Sequence, residues 1–349
     1  MKKIPHLILV LVILISCNKE EISSGNSISD LFFLENQGAK MPVLVEGNID
    51  SKVILIFLHG GPGGTGIGFN NDANISRIIE SKYAIAYHDQ RAAGISQGST
   101  TVKLALDQYA DDVKKLILVL RKRYGNETKI FLLSHSWGGM IAPAFLTNGT
   151  NQSMVSGWIN LAGSHNYQLN DELTREYLLS YGKDQIAKGI HVPEWTPIVD
   201  FAEKNIPNYD YEISKQYNSY GSSVESYIGE IQQTDDGGGI LGLFTEKKKA
   251  FSTFWTTSNS GASYLLNLPK DLLQKANYSD KLNVITLPVL SITGKYDFTV
   301  PKGLAEEVTA KISSKKKKLI ILQKSGHILM DHEPDLLWNE VVSFVGENK

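Results

Sequence analysis

The sequence predicts an α/β fold: a mostly parallel central sheet with helices on both faces and a mainly helical cap insertion. Three observations carry that expectation. Residues 53–58, 84–88, 129–133 and 156–161 are short β-prone runs without clear alternation, which suits strands buried on both faces. Helical stretches lie between them, most clearly 107–123, where Tyr109, Val113, Leu116, Ile117 and Leu120 recur at helical spacing. Alternating strands and helices build an open α/β sheet. From about residue 164 to 283 the strand signals vanish, aromatic and polar residues mix, and Gly237, Gly238 and Gly239 mark a loop, so the sheet is interrupted by an insertion.

The elements follow in order. Lys2 and Lys3 precede an apolar run at 7–15, long enough for the core of an export signal and too short for a comfortable permanent span. That run ends in Leu14, Ile15, Ser16 and Cys17, which resembles the lipobox of bacterial lipoproteins. Cys17 is the only cysteine of the chain, so no disulfide can form within it. The resemblance implies a signal peptide at 1–16, lipidation at Cys17 and a protein exported and lipid-anchored to a bacterial membrane, on its periplasmic or cell-surface side. Residues 17–29 are polar and read as a flexible tether; Asn18, Lys19, Glu20 and Glu21 resemble a surface-export signal. Next comes a hairpin, with apolar runs at 31–34 and 41–45 around Asn36, Gln37 and Gly38. The division expected is a core at 30–163, a cap at 164–285, and the rest of the core at 286–349. That last part holds strands at 288–293 and 319–322 and an amphipathic helix at about 334–345.

Composition is that of an ordinary folded chain: 349 residues, 42% apolar and 21% charged, with a formal net charge of -2. A pI near 6.5 offers no basic surface for phosphates, so nucleic acid is not an expected partner. The run Lys315 to Lys318 reads as a solvated turn before a strand. No HExxH and no clustered His and carboxylates at ligand spacing are present, so no metal and no cofactor are expected.

The chemistry concentrates at a few turns. Residues 130–139 form a buried strand, a sharp turn and a helix start around Ser134, His135, Ser136, Trp137, Gly138 and Gly139. That is the pattern of a nucleophile elbow, with Ser136 presented above the sheet edge. Strand and helix come so close there that small residues are needed on either side; Gly138 meets this, and Ser134 is expected to strain the turn slightly. His59, Gly60, Gly61, Pro62, Gly63 and Gly64 directly follow a strand, where a glycine-rich loop can aim backbone N–H groups at a developing oxyanion. Gly61 is the expected donor, and the N–H of Trp137 at a helix start is the second. A phosphate cradle is disfavoured by the lack of a GK[ST] ending and of GxGxxG spacing.

These two motifs, with Asp89, Gln90, Arg91, Ala92, Ala93, Gly94, Ile95 and Ser96, resemble the proline iminopeptidase branch of the α/β-hydrolases. That branch carries HGGPG, DQRGxGxS and GxSWGG in this order. The resemblance runs from the hairpin to the last helix, the insertion excepted, with Ala92 and Ser134 standing where the family has Gly. It implies the α/β-hydrolase fold and a serine peptidase of the prolyl aminopeptidase kind.

A serine nucleophile needs a base and an orienting acid, in the chain order nucleophile, acid, histidine. Asp297 lies in a turn after the strand at 288–293, within a family-like GxxDxxVP pattern; Asp331 is the fallback. His327 sits in a loop after the last strand, where an imidazole can reach the nucleophile. Among the other histidines, His59 belongs to the oxyanion loop, His88 ends a strand, His135 is expected to face away, and His332 is expected at the surface.

The expected reaction is hydrolysis through an acyl-enzyme on a small molecule or short peptide. An aminopeptidase must hold a substrate ammonium group, and Glu172, Glu176, Glu225 and Glu230 are available in the cap, although charged helix residues are usually solvated. An esterase with the same triad and a noncatalytic binding lipoprotein are the alternatives, because the cap decides what the fold does.

Overall fold

The computed structural model describes residues 27–98, 104–232, 272 and 276–349. The signal peptide, Cys17, most of the tether and Gly237 to Gly239 lie outside the described residues.

A nine-stranded sheet forms the centre. The chain enters through β1 (Ser27–Asn36) and β2 (Ala39–Asn48), the expected hairpin, antiparallel from Ser27 opposite Asn48 to Asn36 opposite Ala39. Ser27 to Ser29, read from the sequence as tether, thus belong to the edge strand, where backbone pairing to Glu46–Asn48 overrides their polar character. Next come β3 (Val53–Leu58), a one-turn α1 (Ala73–Ile75), β4 (Ala84–His88) and the two-residue β5 (Gln97–Gly98). Helix α2 (Leu106–Tyr124), β6 (Lys129–His135), α3 (Gly138–Leu146) and β7 (Gly157–Leu161) complete the first part. The cap contributes α4 (Tyr167–Ala187), α5 (Val192–Lys204) and α6 (Tyr211–Val224). The sheet resumes with β8 (Val289–Gly294), α7 (Gly303–Lys311), β9 (Lys317–Leu322), α8 (Leu329–His332) and α9 (Pro334–Asn348). The strand order is β1-β2-β4-β3-β6-β7-β8-β9, with β5 paired to β2. All pairs from β4 to β9 are parallel, so their carboxy ends share one rim.

Every residue of β3 is buried, as its unbroken VILIFL run requires of a strand covered on both faces. One apolar layer packs α2 and α3 on the sheet through residues such as Tyr109, Leu116, Ile117, Met140 and Phe145. The other packs α9 through Leu337, Trp338, Val341 and Val345. The cap has its own core of Leu178, Trp195, Tyr217 and Val224, into which Phe298 of the hydrolase body inserts. The lysine run straddles the start of β9: Lys317 and Lys318 are exposed strand residues, and Lys318 pairs with Glu340 at 2.6 Å.

A buried ion pair fixes the hairpin side of the sheet. Arg91 Nε and an Nη group donate to the two Asp112 oxygens at 2.6 and 2.7 Å, with both side chains almost fully buried. Asn36 of β1 donates to the same carboxylate. Burial pushes the Asp112 carboxyl up, against the pull of Arg91.

Candidate active site

Ser136 stands between β6 and α3, at the shared carboxy rim. Its φ of 53° lies in the left-handed region, which a non-glycine residue occupies at a cost of about 1–3 kcal/mol. Neighbouring backbone holds it there: Ser136 N donates to Leu161 O and Ser164 N to Ser136 O, both at 3.1 Å. A methyl on Gly138 would lie 2.0 Å from Leu58 O, and one on Gly139 2.4 Å from Gly163 Cα, so α3 can start this close to the sheet only with glycines. Ser134 is accommodated within the regular ladder of β6, opposite Leu58 and Asn160. Its hydroxyl is buried, accepts from Trp158 Nε1 at 2.8 Å and donates to Ile159 O at 3.3 Å.

The structure brings Ser136, His327 and Asp297 together from three separate loops. His327 Nε2 is 3.0 Å from Ser136 Oγ, and His327 Nδ1 is 2.9 Å from Asp297 Oδ2. The second Asp297 oxygen accepts from Thr299 N at 3.0 Å and Val300 N at 2.7 Å, which fixes the carboxylate within its own turn. Asp297 is fully buried. Burial opposes a charge on His327, yet Asp297 and, behind it, Glu225 lift its pKa above the ordinary imidazole value. Asp331, the fallback, is exposed on α8, and the carboxylate at His327 Nδ1 is that of Asp297.

The glycine loop lies against the same serine. A methyl on Gly60 would come within 3.1 Å of Ser136 Cβ and 3.6 Å of its Oγ. Gly61 follows with φ 128°, and a methyl there would meet Gly63 N at 2.6 Å and Gly64 N at 2.7 Å. Trp137 comes directly after Ser136 and leads into α3.

Residues without an assigned role in the sequence reading turn out to hold these loops. Gln90 N donates to His59 Nε2 at 3.1 Å, Gln90 Nε2 to His59 O at 3.1 Å, and Trp137 Nε1 to Gln90 Oε1 at 3.0 Å. One side chain thus joins the glycine loop to the elbow. Asp89 Oδ1 accepts from Thr65 Oγ1, Gly66 N and Ile67 N at 2.7 to 3.0 Å, and its other oxygen accepts from Ile95 N at 2.9 Å. A methyl on Gly94 would fall 2.0 Å from that carboxylate, whereas exposed Ala92 reaches φ 57° without a glycine. The signal was present in the DQR motif, but its role needs the fold to be read.

Three further readings change. His135 does not face away: its ring centroid is 5.1 Å from that of His327, and its Nε2 donates to His327 O at 3.3 Å. Burial, with the neighbouring His327 adding to it, drops its pKa to about 3, so it is a neutral donor. His332 is half-buried, and its Nδ1 accepts from Gly326 N at 3.1 Å. Glu225 is not solvated: it lies behind His327, whereas Glu172, Glu176 and Glu230 are exposed. Among the described residues no group of His, Cys, Asp and Glu could hold a metal ion, and no helix is long and apolar enough to cross a membrane.

A strained serine at the rim of a parallel sheet, bonded to a histidine and a buried aspartate in this chain order, is the arrangement that an acyl-transferring hydrolase uses. Residues 53–334 match the family profile described as the alpha/beta hydrolase fold, and the chain belongs to that family. It is 20% identical over 307 residues to a proline iminopeptidase of Thermoplasma volcanium, covering 86% of this chain and 90% of that one. It is 24% identical to a proline iminopeptidase of Saccharolobus solfataricus, covering 84% of each. Among solved structures, a proline iminopeptidase-related protein from Thermus thermophilus superposes with a TM-score of 0.60 at 18% identity, over 92% of this chain and 98% of the other. An esterase from Exiguobacterium antarcticum superposes with a TM-score of 0.58 at 20% identity, over 90% and 98%.

Proposed function

We propose that the protein is a serine hydrolase that works through an acyl-enzyme, and that its substrates are short peptides with a free amino end, as for a proline iminopeptidase-like aminopeptidase. One observation carries the hydrolase reading: the continuous hydrogen-bonded path from Ser136 Oγ through His327 to Asp297, at 3.0 and 2.9 Å. In this reading His327 Nε2 takes the Ser136 proton as Oγ attacks the substrate carbonyl. Asp297 keeps the Nδ1 proton in place and stabilises the imidazolium. The N–H groups of Gly61 and Trp137 receive the oxyanion, the imidazolium protonates the leaving group, and water releases the acyl group by the same route.

The aminopeptidase part rests on the relatives' names and on the HGGPG and DQR motifs. A second reading, an esterase on a small acyl substrate, draws on one feature of the cap. Of the four carboxylates considered for an ammonium group, three are exposed and the fourth, Glu225, already accepts two backbone N–H groups. A side-by-side screen of prolyl and alanyl fluorogenic amides with short p-nitrophenyl esters separates the two. Cleavage of esters with no turnover of any aminoacyl amide would end the peptidase reading. The third reading, a binding lipoprotein without turnover, predicts no Ser136-dependent labelling by a fluorophosphonate; the hydrolase predicts labelling that Ser136→Ala abolishes. Export and a lipid anchor at Cys17 complete the proposal; they predict metabolic labelling by a fatty acid that is lost in Cys17→Ala.

A further inference from the structure

The loop that carries His327 is held by side chains at successive peptide groups. Glu333 accepts from Lys324 N at 2.8 Å and from Ser325 Oγ at 2.7 Å. His332 accepts from Gly326 N, and His135 donates to His327 O. These groups all belong to the hydrolase body. The His327 N–H goes elsewhere: it donates at 2.8 Å to Glu225 Oε2, which comes from the cap, directly after α6.

Glu225 has a second attachment. Its Oε1 accepts from Phe298 N at 3.3 Å, one residue beyond Asp297. The Phe298 ring is buried in the cap core, 5.6 Å from Tyr177 and 5.5 Å from Tyr181 by ring centroids. One carboxylate therefore touches both triad loops, and the fit leaves no slack: a methyl on Gly326 would stand 2.1 Å from Glu225 Oε2. Neither loop is joined to the other by sequence, since about thirty residues, including all of β9, separate Asp297 from His327. A brace between the two loops helps a donor–acceptor path of 3 Å to persist, and small displacements of a catalytic base are costly in rate.

We propose that Glu225 is a positioning residue through which the cap sets the spacing between the Asp297 and His327 loops and thereby the reach of the imidazole to Ser136. The inference rests on the serine-hydrolase reading and deepens it: the cap aligns the base as well as covering the substrate. Burying a carboxyl is unfavourable. Here burial, with the nearby Asp297 charge, pushes the acid of Glu225 up to about 8, against the two N–H donors and His327. The titratable groups facing it are Asp297 and His327. Once ionised, Glu225 favours the charged imidazole of His327, the form that develops during Ser136 attack. Glu225 therefore adds a rise in kcat/KM near pH 8 to the rise caused by deprotonation of His327.

The test compares the full-length protein with Glu225→Ala and Glu225→Gln on a short p-nitrophenyl ester across pH 5 to 10. Folding of each is followed by circular dichroism melting, and a fluorophosphonate reads the state of Ser136. Glu225→Ala is expected to lose on the order of 10²-fold in kcat with KM little changed. Glu225→Gln is expected to lose less, since its amide oxygen still accepts from His327 N, and to lack the rise near pH 8. A simple packing role for Glu225 would leave that rise in the Gln variant. Should Glu225→Ala fail to fold, the Gln variant alone decides by the same criterion. Parental kcat in a folded Glu225→Ala, or an alkaline rise retained by Glu225→Gln, overturns the inference alone. A parent that neither turns over esters nor takes the label in a Ser136-dependent way overturns the hydrolase reading, and this inference with it.

Discussion

Asp297 and Asp331 lie close to His327 in sequence or space, yet only the first meets its ring. Asp297→Asn keeps the shape of the site but leaves the histidine in the wrong tautomer to accept a proton from Ser136. Turnover of a p-nitrophenyl ester should fall roughly 10⁴-fold with the melting curve preserved, whereas Asp331→Asn should leave it at the parental level. Normal turnover in Asp297→Asn would remove Asp297 from the triad. The environment of His327 also fixes the sign of the pH response. Its pKa is raised above the ordinary 6.5, so the imidazole remains charged, and unable to act as a base, at pH values where a free histidine is already neutral. The acid limb of kcat/KM should therefore have its midpoint above 6.5, and it should move to lower pH in Asp297→Asn where residual activity allows measurement. A limb at or below 6.5 in the parent would contradict the charge environment described for His327. The same shift links to stability: it favours the folded state fully below pH 6.5, and that contribution fades as pH rises through the higher folded value.

At the level of strands and helices, Ser134 shows how a departure from a family pattern can be absorbed. Its hydroxyl is the partner of the buried Trp158 indole N–H of β7. Ser134→Gly restores the family residue yet orphans that donor, so it should destabilise the protein by roughly 1–3 kcal/mol in a urea titration. A neutral or stabilising result would mean that the Trp158 N–H finds another acceptor. The strands themselves were legible. The runs at 53–58 and 84–88 coincide with β3 and β4, because strands covered on both faces need uninterrupted apolar residues and little else in the chain does. The hairpin strands were read less well: β1 and β2 each extend to ten residues, their polar ends joined by ladder pairing that leaves no trace in hydropathy. Ser136, Asp297 and His327 were legible because each sits in a turn directly after a strand. Gln90, His135 and Glu225 were not, because each acts on a backbone group distant in sequence, and a carboxylate after a cap helix looks solvated until tertiary contacts cover it; His332 was missed although its partner, Gly326 N, is only six residues away, because the turn that joins them has no hydropathy signal.

At the scale of the whole molecule, the Arg91–Asp112 pair is the most deeply buried of the ion pairs seen among the described residues. It joins the DQR loop to α2, and through Asn36 to the hairpin. Such pairs add little net stability when intact but are severely missed when halved. Asp112→Ala should cost about 3–5 kcal/mol in chemical denaturation and loosen the hairpin first, as read by amide exchange in β1. A loss under about 1 kcal/mol would show that water or another acceptor reaches Arg91. The hairpin also sets on which rim of the sheet the described chain begins. Ser27 pairs with Asn48, beside Gly47, which faces Ala84 at the start of β4; Ser136 lies beyond the finish of β6, at the opposite rim. Only nine residues, 18–26, separate Cys17 from that strand, a leash of about 30 Å at full stretch. An acyl group on Cys17 would draw the floor of the sheet toward the bilayer and turn the catalytic mouth outward, so that substrates would arrive from the aqueous side and not from the lipid.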